Sequence, residues 1–355
     1  VVAFIYISEE NVKPTEDNEN WIIYSGDTNA YKYKVQNADG NTTIYMWFMD
    51  KVHNISKEPA SANMIYEQAV ATLVEDGVVV GEYDSIQLAY NFARENAATA
   101  STIIISKDTT LSETLVIEGT KDIILDLNGR TVTSELEVGI KNEGKLEITD
   151  SRGKGKYINT YTKNIACAIH NTNKLYISNG NVQLVNKTSS EYPIRAIYND
   201  GSYSKLNMTG GRVYAEGTLD TDLDTGVYAI YNSSTLMSET SITITGGTVE
   251  TNVTGYSDGY GIYNSDHGYM EIHNLNVVTK AVNGKAYGIR CEFPSVIIAE
   301  INIQDSKINV MSENSDAYGI HNNYDGCICI ISGDINAISN DGTSYGIYDK
   351  DEGVI

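Results

Sequence analysis

Four tyrosines occupy one repeated slot in this chain of 355 residues. Tyr198, Tyr231, Tyr263 and Tyr348 each follow the isoleucine of a short phrase: Ala-Ile-Tyr-Asn at 196–199 and 229–232, Gly-Ile-Tyr-Asn at 261–264, Gly-Ile-Tyr-Asp at 346–349. Other copies of the phrase put Lys141, His170, Arg290 and His321 in the slot. A phenol ring can stack on the apolar face of a sugar while its hydroxyl hydrogen-bonds it, so an exposed tyrosine strip points to glycan binding. Such a ladder also stabilises a sheet by cross-strand contact, which is the simpler use.

A second candidate is Asp220-Thr-Asp222-Leu-Asp224-Thr-Gly226. Alternating carboxylates can chelate calcium, and calcium is the one cofactor the sequence suggests. The run departs from the EF-hand loop at Thr225, where the sharp turn wants glycine, and at Tyr231, where a bidentate Glu belongs. A solvated acidic loop is the plainer reading. The remaining chemistry is sparse. His170 and His321 share a slot but stand five copies apart, too far for a metal pair, and His53, His267 and His273 have no matching partners. Four cysteines (167, 291, 327 and 329) form no CxxC pair and no disulfide framework.

These side chains need a scaffold, and the phrase itself supplies it. Its isoleucines stand at 140, 169, 197, 230, 262, 289, 320 and 347, at steps of 29, 28, 33, 32, 27, 31 and 27 residues. Such a period marks a repeat architecture. Each unit adds two more apolar alternations, such as Leu206-Asn-Met208 and Val213-Tyr-Ala215, with Gly210-Gly211 between them. Three period-two strands per repeat of about thirty residues is the arithmetic of a parallel β-helix with three sheets, here about eight to nine coils. Polar stretches of varying length at 216–226, 252–259 and 311–316 suit loops on one side.

Alternation assigns faces. The phrase isoleucines point inward, and Asn142, Asn171, Asn199, Asn232, Asn264 and Asn322 form an internal amide ladder. By the same parity Tyr228, Tyr260, Tyr287, Tyr318 and Tyr345 also face inward, with Cys167 and Cys291 as small buried fillers. Outward positions on the second strand read Glu147, Tyr176, Asn207, Thr243, Glu271, Asn302, Cys329; on the third they read Gln183, Tyr214, Glu250, Val278, Asn309, Asn336. No two acids are neighbours in either column, so neither carries the carboxylate pair that glycosidic hydrolysis needs.

The N-terminal part differs. Val1–Ile7, 21–24, 30–35 and 42–48 read as strands around a turn at 37–41, suggesting a small β-sandwich over 1–54. Trp47 and Phe48 read as its core rather than a contact patch. Residues 55–80 read as a linker with an entry strand at 71–75. From Asp84, apolar residues at 86, 89, 92 and 93 predict an amphipathic helix, capped by Asp84 or Ser85, that covers the first coil of a β-helix over 81–355.

Net charge is -22, which lacks the basic face nucleic acid demands. There is no signal peptide and no run of eighteen apolar residues, so no membrane span is expected. The chain ends at Val354-Ile355 inside a coil, so further coils are expected beyond it.

Two stretches carry a resemblance. Tyr31-Lys-Tyr33-Lys-Val35 leading to Ala38-Asp-Gly40-Asn41 resembles the end of short Ig-like modules of bacterial surface proteins. Tyr83-Asp-Ser-Ile-Gln-Leu-Ala89, the β-run at 102–106 and Ile124-Leu-Asp-Leu-Asn-Gly129 resemble the entry to pectate-lyase-like right-handed β-helix domains in exported proteins of Gram-positive gut bacteria. The resemblance implies an all-β fold and an extracellular, cell-surface location. It does not imply lyase activity, because the fold hosts many functions. The expectation is a non-catalytic adhesin- or stalk-like protein touching extracellular glycans or a host surface. The alternative is a polysaccharide lyase or glycoside hydrolase with its site in the loops. Oligomeric state is left open.

Overall fold

The computed structural model describes residues 1–26, 33, 40–66, 68–95, 100–161, 163, 166–190, 192–219, 225–235, 240–265, 269–292, 300–323 and 327–350. The chain divides into two compact units, Val1–Gln68 and Ala69–Ile355.

In the first unit the described residues form one four-stranded antiparallel sheet, ordered Ile22–Ile23, Val2–Ser8, Gly40–Asp50, Ala60–Tyr66. Ile5, Trp47 and Met49 are buried on it, so Trp47 is core. Residues 60–66, read as linker from Glu58-Pro59, instead pair antiparallel from Met46↔Ala60 to Gly40↔Tyr66. A proline ahead of the strand leaves its ladder intact. Apart from residue 33, the strand read at 30–35 lies outside the described residues, as does most of the turn at 37–41.

The second unit is a parallel β-solenoid with three sheets and, among the described residues, a single helix. Each sheet stacks nine parallel strands, one per coil. The first, here the tyrosine sheet, contains the phrase strands, among them Ile194–Asp200, Gly226–Ser233, Asp258–Asn264, Ala286–Cys291 and Ala317–Asn322. Its register is one phrase per coil, with Ile197↔Ile230, Ile230↔Ile262 and Ile262↔Ile289 as direct partners. The phrase isoleucines from 140 to 320 are fully buried, each contributing about 1.5–3 kcal/mol. Between the second and third strands of a coil the chain turns at positions such as Gly211. Its φ is 77° and an added Cβ would lie 2.1 Å from the Gly180 carbonyl, so only glycine fits.

The N-terminal end is closed as the helical spacing predicts. The helix Ile86–Glu95 buries Ile86, Ala89, Tyr90 and Ala93 on the core of the first coil, and Ser85 Oγ caps it by accepting from the Leu88 amide at 3.1 Å. Phe92, expected in that stripe, is 41% exposed and lies against Tyr83 instead. A hairpin, Ala71–Glu75 with Val78–Tyr83, adds antiparallel to Ser101–Ile105. Its turn is Asp76-Gly77, both at positive φ (50° and 77°), the signature of a tight two-residue hairpin.

Candidate functional site: the outer face of the tyrosine sheet

The strongest departure from the sequence expectation concerns Tyr228 and its column. Strict alternation from Ile230 puts Tyr228 inside; the structure puts it outside. Val227, Ala229 and Ile230 all belong to the solenoid core, so two consecutive side chains point inward and parity shifts by one residue. Direct strand partners accordingly run Val227↔Gly259 and Tyr228↔Tyr260, then skip to Ile230↔Ile262. The residue at the break is small in every copy: Gly139, Ala168, Ala196, Ala229, Gly261, Gly288, Gly319, Gly346. The crowding explains it. A Cβ on Gly261 would lie 2.6 Å from Val277 Cγ1, and one on Gly288 2.4 Å from Ile308 Cγ2. Tyr228, Tyr260, Tyr287 and Tyr318 therefore form a cluster separate from the core, with Tyr231, Tyr263, Tyr345 and Tyr348 packed against it.

Two aromatic columns thus share one outer face. In the first, Tyr228–Tyr260, Tyr260–Tyr287, Tyr287–Tyr318 and Tyr318–Tyr345 stack at centroid distances of 4.6, 4.9, 4.9 and 5.0 Å, with planes within 8°. The second column meets it edge-on: Tyr231 lies 5.0 Å from Tyr228 at 81°, Tyr263 5.2 Å from Tyr260 at 71°, and Tyr348 4.9 Å from Tyr345 at 62°. Offset stacks and T-shaped contacts satisfy the ring quadrupoles, each pair adding about 0.5–1.5 kcal/mol beyond area burial. Tyr198 stacks on His170 at 4.9 Å, and Arg195 places its guanidinium 4.6 Å from Tyr198 and 4.3 Å from Tyr231. Arg290 packs between columns, 4.8 Å from Tyr287, and donates to the Tyr260 hydroxyl at 3.1 Å. In the slot itself the rings meet at varied angles, Tyr198 edge-on to Tyr231 at 76° and Tyr231 tilted 33° to Tyr263, and Tyr198, Tyr231, Tyr263 and Tyr348 are half-buried.

Acids flank the columns. Asp258 accepts from the Tyr260 hydroxyl at 3.2 Å and the Lys285 amide at 2.8 Å; Asp316 accepts likewise from Tyr318 at 3.0 Å and the Thr343 amide at 2.9 Å. Glu292 accepts from Tyr263 and from Arg290. Asp200 lies 3.4 Å from His170 Nε2 and accepts from Ser233 at 3.0 Å. Burial raises the Asp258 carboxyl above the usual range despite its donors. Burial also pushes the Tyr228, Tyr260 and Tyr287 hydroxyls well above the normal phenol range. His321, 6% exposed, is lowered to about 4, first by burial and then by Arg290 and Lys350. All these phenols and this imidazole are neutral at pH 7.

The internal amide ladder is present. Asn142 Nδ2 donates to Asn171 Oδ1 at 2.7 Å, and the bonds Asn171→Asn199, Asn199→Asn232 and Asn232→Asn264 are each 2.6 Å. Cys291 interrupts the column, and Cys167, in the Tyr228 column, is buried with its thiol pushed up to about 12. None of the four cysteines is in a disulfide. Asp220, Asp222 and Asp224 lie outside the described residues. Among the described residues no group of three or more His, Cys, Asp or Glu side chains could hold a metal ion.

No described helix is long and apolar enough to cross a membrane. No protein-family model, curated protein or solved structure matches the chain.

Proposed function

We propose that this chain is a non-catalytic, adhesin- or stalk-like section of an exported bacterial surface protein. It combines a pectate-lyase-like β-helix with a short Ig-like module, and its tyrosine sheet contacts extracellular glycans or a host surface. One observation carries the reading: the slot tyrosines Tyr198, Tyr231 and Tyr263 follow one another on one outer face beside the stacked column. Arg290 and His321 fill the slot before Tyr348, and Arg195, Asp200 and Glu292 stand at the edge. Because the slot rings are half-buried and packed against one another, a sugar meets their exposed parts, hydroxyls and the flanking charges instead of lying flat on a free ring. Hydrogen bonding therefore selects the ligand, and neutral or amino sugars suit a chain of net charge -22 better than uronates.

The test is retention of the purified chain on immobilised glycans and on host cells, with Tyr231→Ala beside the parent. Loss of one ring contact and its hydroxyl, about 1.4 kcal/mol, weakens retention about tenfold. Absence of all retention by the parent overturns the reading.

One observation favours a glycoside hydrolase instead. Asp258 and Asp316 fall in one column two coils apart, about 9.6 Å at strand spacing, and one of the two carboxyls is raised. Against it, both acids are held by a tyrosine hydroxyl and a backbone amide, and Lys285 stands between them in the column. New reducing ends from a polysaccharide screen, lost in Asp258→Asn, decide for the hydrolase.

A further inference from the structure

We propose that the stacked column Tyr228, Tyr260, Tyr287, Tyr318 is a site of oxidative modification, where dityrosine bonds join one coil covalently to the next. The inference stands on ring geometry and does not depend on the glycan reading. Three consecutive pairs lie 4.6–4.9 Å apart between centroids with planes 2–8° from parallel. Near-parallel rings at this centroid distance are offset-stacked in face contact, so carbons of one phenol lie against the next ring. Strand pairing holds them there, so coupling needs no diffusional encounter. Proton acceptors are in place: Asp258 for Tyr260 at 3.2 Å and Asp316 for Tyr318 at 3.0 Å. The column itself is 3–7% exposed, so an oxidant reaches it through the half-buried Tyr263, whose ring lies 5.2 Å from Tyr260 and 5.4 Å from Tyr228.

The co-reactant is a haem peroxidase with hydrogen peroxide. It removes one electron from each of two stacked phenols; the Tyr260 and Tyr318 protons pass to Asp258 and Asp316 and on to water, and the Tyr228 and Tyr287 protons pass to water directly. The two phenoxyl radicals couple ortho to ortho, forming one carbon–carbon bond. The two ring hydrogens then move to the oxygens and restore both phenols. The peroxide accepts two electrons and two protons and leaves as two waters, its oxygen–oxygen bond broken.

The experiment treats dilute purified chain with a haem peroxidase and hydrogen peroxide. It follows dityrosine fluorescence, intact mass and linked peptides. The expected product is a monomer lighter by two hydrogens per bond, with linked peptides pairing Tyr228 with Tyr260 or Tyr287 with Tyr318. Tyr287→Phe keeps a six-membered ring in the stack; it abolishes both links to residue 287 and leaves the Tyr228–Tyr260 link. Links confined to exposed tyrosines such as Tyr203 and Tyr256, 75% and 60% exposed, overturn the proposal. So do links only between molecules, or monomer links undiminished when all four column tyrosines are phenylalanine.

Discussion

Asn199 sits at the centre of the amide ladder, and replacing it tests whether the solenoid is held by that line of side chains. It accepts from Asn171 Nδ2 and donates to Asn232 Oδ1, both at 2.6 Å, and is fully buried. Asn199→Ala removes two side-chain hydrogen bonds, worth about 1 kcal/mol each. Asn171 keeps the Lys205 carbonyl at 3.1 Å as an acceptor, but the Asn232 amide oxygen loses the Asn199 donor in a dry interior. That orphaned acceptor adds about 1 kcal/mol or more, for a total near 3 kcal/mol. Urea unfolding with linear extrapolation reads the loss as a lower midpoint at constant slope. Asn207→Ala is the control, because Asn207 faces outward on the next sheet and its loss costs within about 0.5 kcal/mol. Asn199→Asp puts a carboxylate in the same dry column, so it is worse than alanine at pH 7 and improves relative to alanine as the pH falls and the acid protonates. If Asn199→Ala costs no more than Asn207→Ala, the ladder is an ornament of the fold rather than a support.

Two further outcomes follow from packing and charge. Gly288→Val drives a branched side chain into Ile308 and the Gly319 carbonyl, 2.4 and 2.5 Å from a mere Cβ, and costs about 3 kcal/mol or more, read as a lower thermal midpoint. A fall within about 0.5 kcal/mol shows that the parity break is not enforced by crowding. His321 binds its proton less readily folded than unfolded, so stability is full above its ordinary 6.5, falls as pH drops from 6.5, and levels off below about 4. His321→Phe removes that component, worth at most about 3 kcal/mol, and flattens the thermal midpoint against pH across this window relative to the parent.

Reading the repeats went far because the solenoid's information is local and repeated. The phrase period fixed one coil per repeat, the isoleucine and asparagine positions fixed two inward lines, and Asp84-Ser85 with the apolar residues at 86, 89 and 93 marked the capping helix. What alternation could not carry was a place where it stops. Ala229 and Ile230 both face inward, which turns Tyr228 out beside Tyr231 and converts one expected strip into two interlocked columns. The signal lay in the small residue before each isoleucine: only close approach to the third sheet excludes a larger side chain there. Arg195 and Arg290 read only as lying in different columns; their packing on Tyr231 and on Tyr260, rings one coil away and far off in sequence, was not legible. Asp258 opens its strand and Asp316 immediately precedes one, in what read as variable loop. In the first unit, the strand at 60–66 was hidden by its modest alternation and a preceding proline.

The stacking direction has a mechanical consequence. Backbone pairing, amide ladder and tyrosine stack all connect a coil to the next, so every one of them lies along the solenoid axis. Tension that draws the last coil away along that axis loads the bonds of one rung at a time, as a zipper opens, instead of shearing a whole sheet at once. Each coil that detaches frees 27–33 residues of chain, roughly 100 Å of slack at full extension. A solenoid of this kind lengthens under load in near-equal steps. It absorbs a pull coil by coil, and the turns still stacked keep their outer face intact.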